Sequence, residues 1–341
     1  MPINNKKKVS IRDIAEYCHV SPSTVSRVMN GNSHISKETQ KRVMDIATAW
    51  GYVPNASAKN LRMRTSRLVG VFVNTLDYGI SSIIMSRLHD CLAEKDFACI
   101  ICNIGANAEK EEHYYQMMLS MNACAIFLIV NRCDSTIDVK SDIPLIYVYR
   151  YPLQTPASPS VCRVETDNYG AGYQAGCELQ RLGCRQIAEV RLISSDNQFP
   201  LGRHLGLLQS LYDHNVTYAE SLSIVSDQND YEMILEKINR KLDELPAADG
   251  YFCSSDHLAL VLMEALELHH YRIPEDVKVI GCNDMLLSLH IGKPISSIRH
   301  RIEEICRAAI AVMERLISGE ELAEEEYRQV FETDFIPRAT T

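Results

Sequence analysis

One short segment of the chain places an arginine among small hydroxyl side chains, a combination suited to reading nucleic acid. Residues 21–27 are Ser-Pro-Ser-Thr-Val-Ser-Arg. Arginine can donate two hydrogen bonds to the edge of guanine or to a phosphate, and small neighbours let the helix that carries it lie deep in a groove. The outward residues of such a helix would be Pro22, Ser23, Thr24, Ser26 and Arg27. Each alone is an ordinary surface residue, so the interpretation depends on the elements around them.

The sequence around this segment predicts three short helices. Ser10 is followed three residues later by Asp13, a variant of the capping box that begins a helix. Ser21-Pro22 begins a second helix with a capping serine and a proline at the first helical position. Ser36 caps a third, whose apolar stripe is Val43, Ile46, Ala47 and Trp50. Three helices with a tight break between the first two indicate a helix-turn-helix, in which the second helix enters the major groove.

Other polar residues near these helices are predicted to contact the DNA backbone and fix the register. They are Ser10, Arg12, Ser21, Asn30, His34, Ser36 and Thr39. The charge distribution supports this interpretation over a merely solvated basic tail. The chain has a net charge of −9, yet residues 1–67 hold twelve Lys and Arg against four acids, a net +8 that leaves −17 for the rest. A basic module on an acidic body is typical of a protein that binds a polyanion through that module alone.

A short hinge follows the three helices. Asn55 begins a segment of one or two helical turns, too short to persist alone in water. Leu61 is the one large apolar side chain of residues 55–62. It can be a wedge between base steps of a minor groove, or it can dock on the domain that follows. The residues alone support the two alternatives equally.

From Leu68 onward, short apolar runs alternate with helical stretches, which predicts two doubly wound α/β lobes with parallel strands. The first set of strands is 68–74, 98–104, 123–130 and 144–149. After a segment rich in Pro and Ser at 151–160, the second set is 161–166, 186–193, 221–225, 251–254 and 277–282. Ligands of such folds bind beyond the carboxyl ends of the strands, here in a cleft that can close between the lobes.

Polar residues directly after these strands are candidates for contacts with a small ligand. Asp167, Ser255 and Asn283 each follow a predicted strand. Carboxylate, hydroxyl and amide groups at such positions can form hydrogen bonds with ligand hydroxyls. Asp256 and Asp284 come next in the chain, and we interpret both as helix caps.

Three segments closely resemble the head of the lactose/galactose-repressor family of bacterial transcription regulators. They are Val9–Tyr17, Val20–Asn30 and Gly51–Asn55, and the resemblance continues through nearly the whole chain. It implies that Pro22, Ser23 and Arg27 read bases and that Ala58 and Leu61 enter the minor groove, which favours the wedge. We count Asn55 and Lys59 of the hinge among the predicted DNA contacts. The resemblance also implies that Arg203 grips an effector.

The resemblance implies a fold class too: an α helix-turn-helix head joined to an α/β two-lobed, periplasmic-binding-protein-like domain, in which the chain crosses between lobes three times. The expected domains are the head at 1–54, the hinge at 55–64, lobe one at 65–160 and 294–328, and lobe two at 161–293 and 329–341.

The predicted cleft departs from the pattern of this family. Ser255 stands where Asn is usual, Asn283 where Asp is usual, and Tyr149-Arg150 where Asp-Arg is common. Residues 78–81, Tyr-Gly-Ile-Ser, replace Asn-Pro-Phe-Phe. The predicted effector contacts are Asp167, Arg203, Ser255, Asn283, Tyr78 and Ser81. The loss of acceptors argues against the usual neutral sugar as the ligand. A sugar or sugar phosphate remains the first expectation, a nucleoside or purine is the second, and no response to a ligand is the third.

Neither catalytic chemistry nor a cofactor or metal is expected. The sequence has no nucleophile motif, phosphate loop or metal-ligand spacing. Cys99 and Cys102 lie three apart in a predicted strand, so they point to opposite faces and are interpreted as core thiols. Gly170-x-Gly172-x-x-x-Gly176 only weakly imitates a dinucleotide fingerprint. An enzyme or a transport-type solute receptor is therefore the least favoured alternative.

The expected assembly is a homodimer on a pseudo-palindromic operator, because one helix-turn-helix reads only one half-site. Helices at 80–92 and 258–268 have more apolar residues than one buried face needs, so they form dimer surfaces or pack in the interior. The resemblance implies that tetramers of the family use an added C-terminal heptad repeat, and residues 335–341 carry none, so a dimer is expected. The N-terminus lacks a secretory signal and the longest apolar run, 123–130, is too short to span a membrane, so we expect a cytoplasmic protein, nucleoid-associated when bound to DNA.

Overall fold

The computed structural model describes residues 9–29, 35–52, 66–76, 79–105, 107–129, 143–149, 161–192, 199–220, 223–226, 230–286 and 292–341. The chain divides into two compact units, residues 1–66 and residues 67–341. Several predicted site residues lie outside the described residues: Asn30, His34, Asn55, Ala58, Lys59, Leu61 and Tyr78.

The described residues of the first unit form three helices, α1 (Ile11–Tyr17), α2 (Pro22–Met29) and α3 (Lys37–Ala49). The predicted capping box is confirmed: Ser10 Oγ accepts a hydrogen bond from the Asp13 N–H at 3.3 Å, and the Asp13 carboxylate accepts one from the Ser10 N–H at 2.7 Å. Ser36 caps α3 in the predicted way, by accepting from the Thr39 N–H at 3.3 Å. These caps satisfy N–H groups that a helix start would otherwise leave without a partner.

All three helices contribute to the small core of this unit, where Ile14, Val25 and Val43 are fully buried. The prediction that Trp50 lies on the buried stripe of α3 is wrong. Trp50 follows the last helical residue, is 37% exposed and packs edge-on against Tyr17 with 4.9 Å between the ring centroids. The helical period fails for Trp50 because the helix ends before it.

In the second unit, one sheet is built from six parallel strands in the order β12-β5-β4-β3-β1-β2. The strands are β1 (Leu68–Val73), β2 (Ala98–Asn103), β3 (Ala125–Ile129), β4 (Leu145–Tyr149), β5 (Val161–Thr166) and β12 (Arg328–Phe331). Helices α4 (Ile80–Glu94) and α10 (Ile302–Ile317) cover one face, and α5 (Ala108–Ser120) covers the other. Because both faces are covered, central strands such as β3 and β4 are apolar at every position.

A second sheet has the order β13-β11-β10-β9-β6-β7, with β8 also paired to β6. Its strands are parallel except β13, which runs antiparallel to β11. They are β6 (Gln186–Leu192), β7 (Thr217–Tyr218), β8 (Ile224–Ser226), β9 (Gly250–Cys253), β10 (Lys278–Cys282), β11 (Ser296–His300) and β13 (Thr333–Ile336). Helices α6 (Asn168–Arg181) and α7 (Phe199–Asp213) pack on one face, and α8 (Tyr231–Glu244) and α9 (Asp256–Leu268) pack on the other.

The predicted lobe boundaries are wrong at three strands. β5, which was expected to open lobe two, pairs with β4 in the first sheet. β11, which was expected after a return to lobe one, pairs with β10 in the second sheet. β12, which was expected mainly in lobe two, pairs with β5. Composition at 151–160 indicated a connection, but it cannot tell whether a connection joins two lobes or two neighbouring strands.

The chain therefore passes between the sheets three times, after β5, after β11 and after β12.

Interior packing accounts for the apolar character of α9, whose Leu258, Val261 and Leu262 are fully buried in the lobe. In α4, by contrast, Ile83 and Met85 remain half-buried. Within the described part of the chain, no helix has the length and apolar character needed to span a bilayer.

Candidate functional site

The outer face of α2 carries the residues that were predicted to read bases. Val25 and Val28 hold the helix to the core of the head, and this leaves Pro22, Ser23 and Arg27 exposed. Thr24 and Ser26, also predicted as contacts, are half-buried. Among the described residues, the Arg27 guanidinium has no ion-pair partner, so it can meet an outside acceptor. The arrangement presents a short surface of small side chains with one cation near its end.

The hydroxyls at the start of α2 form a local network. Ser21 Oγ lies 2.6 Å from Ser23 Oγ and 2.9 Å from Thr24 Oγ1, and it accepts a hydrogen bond from the Thr24 N–H at 3.1 Å. This network fixes the orientation of the helix start. It also places hydroxyl groups beside backbone N–H groups at a helix N-terminus, where an anion such as a phosphate is stabilised.

The described residues predicted to contact the DNA backbone cluster at the starts of α1 and α3. Ser10 Oγ donates to the Asp13 carboxylate at 2.7 Å, and Ser36 Oγ donates to Thr39 Oγ1 at 2.9 Å. Arg12 is exposed in the first turn of α1. These side chains stabilise the helix starts in the free protein, and their N-terminal positions suit a phosphate contact.

A second site lies in the larger unit, where strand ends of the two sheets meet around Arg203 of α7. This side chain is only 4% exposed. Its Nε donates to Asn168 Oδ1 at 2.9 Å, and Nη1 donates to the carbonyl oxygen of Ser254 at 2.5 Å. Its Nη2 donates to the Tyr149 hydroxyl at 2.8 Å and to Asn283 Oδ1 at 3.4 Å.

The same cluster links the two lobes. Tyr149 ends β4 of the first sheet, and its hydroxyl donates to Oδ1 of Asn283, which follows β10 of the second sheet, at 3.2 Å. Thr166 ends β5, and its Oγ1 lies 2.7 Å from Nδ1 of His300 at the end of β11. The rings of Tyr149 and His300 meet edge-on, with 5.0 Å between their centroids. The cleft is therefore closed by polar contacts that a change in lobe orientation would break.

The backbone at this cluster is strained on both sides of the cleft. Tyr149 has φ of 75° and Asn283 has φ of 103°, in the left-handed region that side chains other than glycine seldom adopt. Such residues cost about 1–3 kcal/mol each and persist only where their surroundings hold them. Here the hydrogen bonds to Arg203 hold both side chains, a pattern characteristic of ligand clamps.

Glycines position Arg203 by letting α6 and α7 pack closely. A Cβ at Gly172 would clash with the carbonyl oxygen of Arg203, and a Cβ at Gly206 would clash with that of Tyr169. The glycine spacing in α6 only weakly imitates a dinucleotide motif. In the structure Gly172 and Gly176 face α7, whereas a Cβ at Gly170 would clash with the Asp167 carboxylate that caps α6. Gly172 and Gly176 in one predicted helix, together with Gly202 and Gly206 in the next, were a usable sequence signal of two helices in close contact.

The predicted effector contacts are only partly brought together. Arg203 and Asn283 belong to the cluster. Asp167 caps α6 by accepting from the Gly170 N–H at 2.7 Å, and Ser255 caps α9 by accepting from the Leu258 N–H at 3.3 Å. Ser81 is half-buried in the first turn of α4.

The interpretation of Asp256 as a helix cap is wrong, whereas residues 287–291, which follow the predicted cap at Asp284, lie outside the described residues. Ser255 holds the capping position of α9, so Asp256 is the first helical residue. Its carboxylate is 1% exposed and accepts hydrogen bonds at 2.6 Å from Ser297 Oγ and from the Met285 N–H. Burial raises its pKa to about 6. The Asp284 carboxylate is paired with Arg299 at 2.6 Å and with Arg338 at 2.5 Å.

Sequence reasoning missed several members of the cluster. Tyr149 was noted as an unusual residue but not as a partner of Arg203. Asn168 and Thr166 flank Asp167, so their position at a strand end was a usable signal. His300 ends β11, a strand that the apolar pattern did not reveal.

The described residues hold no group of three His, Cys, Asp or Glu that could bind a metal ion. Cys99 and Cys102 of β2 pack on opposite faces of the sheet, as predicted. Burial raises the pKa of both thiols, that of Cys102 to about 11. The described cysteines are free thiols.

Comparison with known proteins identifies both parts of the chain. Residues 10–55 match the family described as "Bacterial regulatory proteins, lacI family", and residues 178–341 match "Periplasmic binding protein-like domain". The transcriptional regulator AscG of Escherichia coli (strain K12) is 29% identical over 320 residues, 90% of this chain and 91% of AscG.

Two solved structures extend the comparison. A transcriptional regulator CelR–cellobiose complex is 25% identical, with a TM-score of 0.70 over 98% of this chain and all of that one. A lac repressor dimer bound to operator and the anti-inducer ONPF is 20% identical, with a TM-score of 0.86 over 98% of this chain and 99% of that one, and it shares the fold. The chain thus joins a helix-turn-helix domain of the lacI family of bacterial regulatory proteins to a periplasmic-binding-protein-like domain.

Proposed function

We propose that this chain is a transcriptional repressor that binds a pseudo-palindromic operator as a dimer, with an operator affinity set by a small polar ligand in the interlobe cleft. The observation that carries the proposal is the cluster around Arg203, in which Tyr149 of one lobe and Asn283 of the other share one buried guanidinium. A ligand that enters this cluster changes the contacts of both lobes at once.

On the DNA side, α2 would enter the major groove with Pro22, Ser23 and Arg27 toward the bases. Ser10, Ser36 and Thr39 would meet phosphates near the helix starts. A single copy reads one half-site, so a two-fold dimer is needed for useful affinity. The lac repressor neighbour, which is described as a dimer bound to operator, supports this assembly.

On the ligand side, the cleft offers a guanidinium, two amides, two hydroxyls and an imidazole within one cluster. Such groups form directional hydrogen bonds with a polyhydroxylated molecule, so a sugar or sugar phosphate is the first expectation. The neighbour in complex with cellobiose supports a carbohydrate-like ligand.

Coupling between the two sites would pass through the hinge at residues 55–64. A change in lobe orientation would alter the spacing of the two hinges in a dimer and so order or release Leu61 at the minor groove, with a coupling of about 1–3 kcal/mol. Substitution of Leu61 by alanine should then reduce the bend that the protein imposes on the operator, and an unchanged bend would reject the wedge.

A second candidate is a regulator of constant operator affinity. The Tyr149 hydroxyl already occupies a hydrogen-bonding position at Arg203, at 2.8 Å, which favours a cleft that needs no ligand. No enzymatic role is proposed, because the relatives with known roles are transcriptional regulators. We place the protein in the cytoplasm, on the nucleoid when it is bound to DNA.

The proposed division of labour is tested by comparing the full chain with residues 67–341. The shorter chain should lose DNA binding and keep ligand-dependent thermal stabilisation, because a ligand that binds only the folded state raises the melting temperature. DNA binding by residues 67–341 alone would contradict the assignment of the head. Constant operator affinity and no stabilisation by any small molecule would support the second candidate.

A further inference from the structure

The guanidinium of Arg203 is a buried charge without a counter-ion. An arginine keeps its positive charge inside proteins. Each partner of Arg203 is neutral: the Asn168 amide, the Ser254 carbonyl, the Tyr149 hydroxyl, the Asn283 amide and the His300 ring, whose Nε2 lies 3.2 Å from Nη2. Among the described residues, no carboxylate lies within 4.0 Å of this guanidinium. Each nitrogen of the guanidinium has at least one neutral hydrogen-bond partner, but no carboxylate among the described residues forms an ion pair with its charge.

The nearby carboxylates have other partners. Both oxygens of Asp256 accept hydrogen bonds, from Ser297 and from the Met285 N–H, and burial raises its pKa to about 6. Asp167 accepts from the start of α6 at Gly170. Asp284 is paired with Arg299 and Arg338. None of these three carboxylates can neutralise Arg203 without giving up its own partners.

Burying an uncompensated charge is costly, and the cost falls when an opposite charge binds beside it. A neutral sugar would replace one neutral acceptor at Arg203 by another, so its binding would gain little free energy from the charge. A phosphoryl or carboxylate group would replace a neutral acceptor by a charged one, which forms the shorter and stronger hydrogen bonds typical of arginine–oxyanion pairs.

One contact of Arg203 is suited to exchange. Nη2 has two N–H groups but three neighbours, namely Tyr149, Asn283 and His300. Of these three, only Tyr149 comes from the first lobe, and its backbone is held in the left-handed region at φ of 75°. Release of its hydroxyl would relieve strain, free an N–H for the ligand and remove a contact between the lobes.

We propose that the effector of this chain carries an anionic group, a phosphoryl or a carboxylate, which pairs with Arg203 by displacing the Tyr149 hydroxyl. The inference rests on the proposed function in one respect, that the cleft is where the effector binds. It gives Tyr149 a defined role, as the internal occupant that the effector must replace.

The test uses the full-length chain at constant ionic strength, titrated with inorganic phosphate and with matched probes: glucose against glucose 6-phosphate and against gluconate, and ribose against ribose 5-phosphate. Calorimetry and thermal unfolding report binding. At least one anionic probe should bind about tenfold or more tightly than its neutral partner, as expected when a hydrogen bond gains a charged acceptor.

Three variants locate the effect. Arg203→Gln should abolish the preference for the anion. Tyr149→Phe keeps the ring but removes the competing hydroxyl, so it should tighten anion binding several-fold, and it keeps the inference testable if Arg203→Gln fails to fold. Arg181→Gln removes an exposed arginine, paired with Glu178 away from the cluster, and should leave binding unchanged.

Equal or tighter binding of every neutral partner would overturn the inference, as would a lack of binding by any anionic probe. Binding that survives Arg203→Gln would also overturn it, because it would report attachment to the basic head. Weaker anion binding by Tyr149→Phe would contradict displacement. Operator binding, measured on the same samples, distinguishes failure of this inference from failure of the proposed function. If a neutral effector binds through Arg203, the anion inference is wrong but the proposed function stands. If the chain does not recognise an operator, the proposed function is wrong but the anion preference is unaffected.

Discussion

Arg27 lies on the exposed side of α2, opposite the buried Val25 and Val28 that hold the helix in place. If its guanidinium pairs with a base, Arg27→Ala should weaken binding to an operator selected from random duplexes by about 1–3 kcal/mol. The loss on a scrambled duplex should be much smaller, because a phosphate contact is independent of sequence. Fluorescence anisotropy with both duplexes measures the difference.

Lys41→Ala is the matched control for Arg27. Lys41 is exposed on α3, and its loss removes the same charge from the head without touching α2. It should affect the selected and scrambled duplexes alike. Equal losses on both duplexes for Arg27→Ala would remove the base-reading role and leave Arg27 as a phosphate contact.

Asp256 predicts a pH dependence of stability. Burial raises the pKa of its carboxyl to about 6, above the ordinary value for aspartate, so folding favours the protonated form. The stabilisation is present below the ordinary pKa and is lost as the pH rises through about 6. The free energy of unfolding of Asp256→Asn, relative to the original chain, should therefore increase between about pH 4 and pH 7, by at most about 3 kcal/mol. Urea unfolding across this range measures it.

The control for this pH effect is Leu268→Ala, since Leu268 is largely exposed at the end of α9 and carries no titratable group. Its difference from the original chain should stay nearly constant with pH. A difference for Asp256→Asn that is equally flat would mean that its carboxyl titrates at the same pH in the folded and unfolded chains.

Among individual side chains, those whose role depends on their own residue type could be predicted from the sequence. Arg203 and Asn283 could be singled out because they follow strands or match a family position. Tyr149 and His300 could not be assigned to the cluster, because their role depends on which strands lie side by side. Asp256 was misread because a buried carboxylate and a capping carboxylate occupy the same place in a sequence pattern.

At the level of elements, the close contact of α6 and α7 predicts a sensitive glycine. In Gly172→Ala, the new Cβ would clash with the backbone carbonyl of Arg203, which cannot move without shifting α7. We expect a loss of about 1–3 kcal/mol in the free energy of unfolding, as for other overpacked sites. Because the displaced residue is Arg203 itself, ligand binding in the cleft should weaken as well. Urea unfolding and ligand titration test the two effects.

Gly292→Ala is the control for the glycine substitution, since an added Cβ there meets no atom within 4 Å. It should change stability little. A Gly172→Ala chain that unfolds and binds ligand as the original does would show that α6 and α7 can separate at no cost, and that the glycines do not position Arg203.

The helices and central strands were the predictable elements. Capping serines marked the starts of α1, α2 and α3, and unbroken apolar runs marked β3 and β4, because both faces of those strands are covered. β11 was missed because its buried Ser296 and Ser297 read as polar. These serines are satisfied by side-chain partners at Thr341 and Asp256 that lie far away in the sequence. Short edge strands such as β7 and β12 have no apolar run to reveal them.

For the molecule as a whole, the charge pattern and the order of elements predicted two separate units along the chain. A basic head of three helices precedes an acidic two-sheet body, and the structure has both units. The assignment of strands to lobes could not be predicted, because periodicity identifies a strand but not its neighbour. β5, β11 and β12 show this, since each joins the sheet that the linear order did not indicate.

Selection of duplexes from a random pool by the full-length chain, followed by titration at physiological salt, shows whether this protein recognises an operator sequence. A sequence-specific dimer should enrich a pseudo-palindrome with half-sites about one helical turn apart. It should bind this duplex about 10³-fold or more tightly than a scrambled one. A pool that stays random, with equal affinity for every duplex, would contradict the account of this protein as an operator-binding regulator.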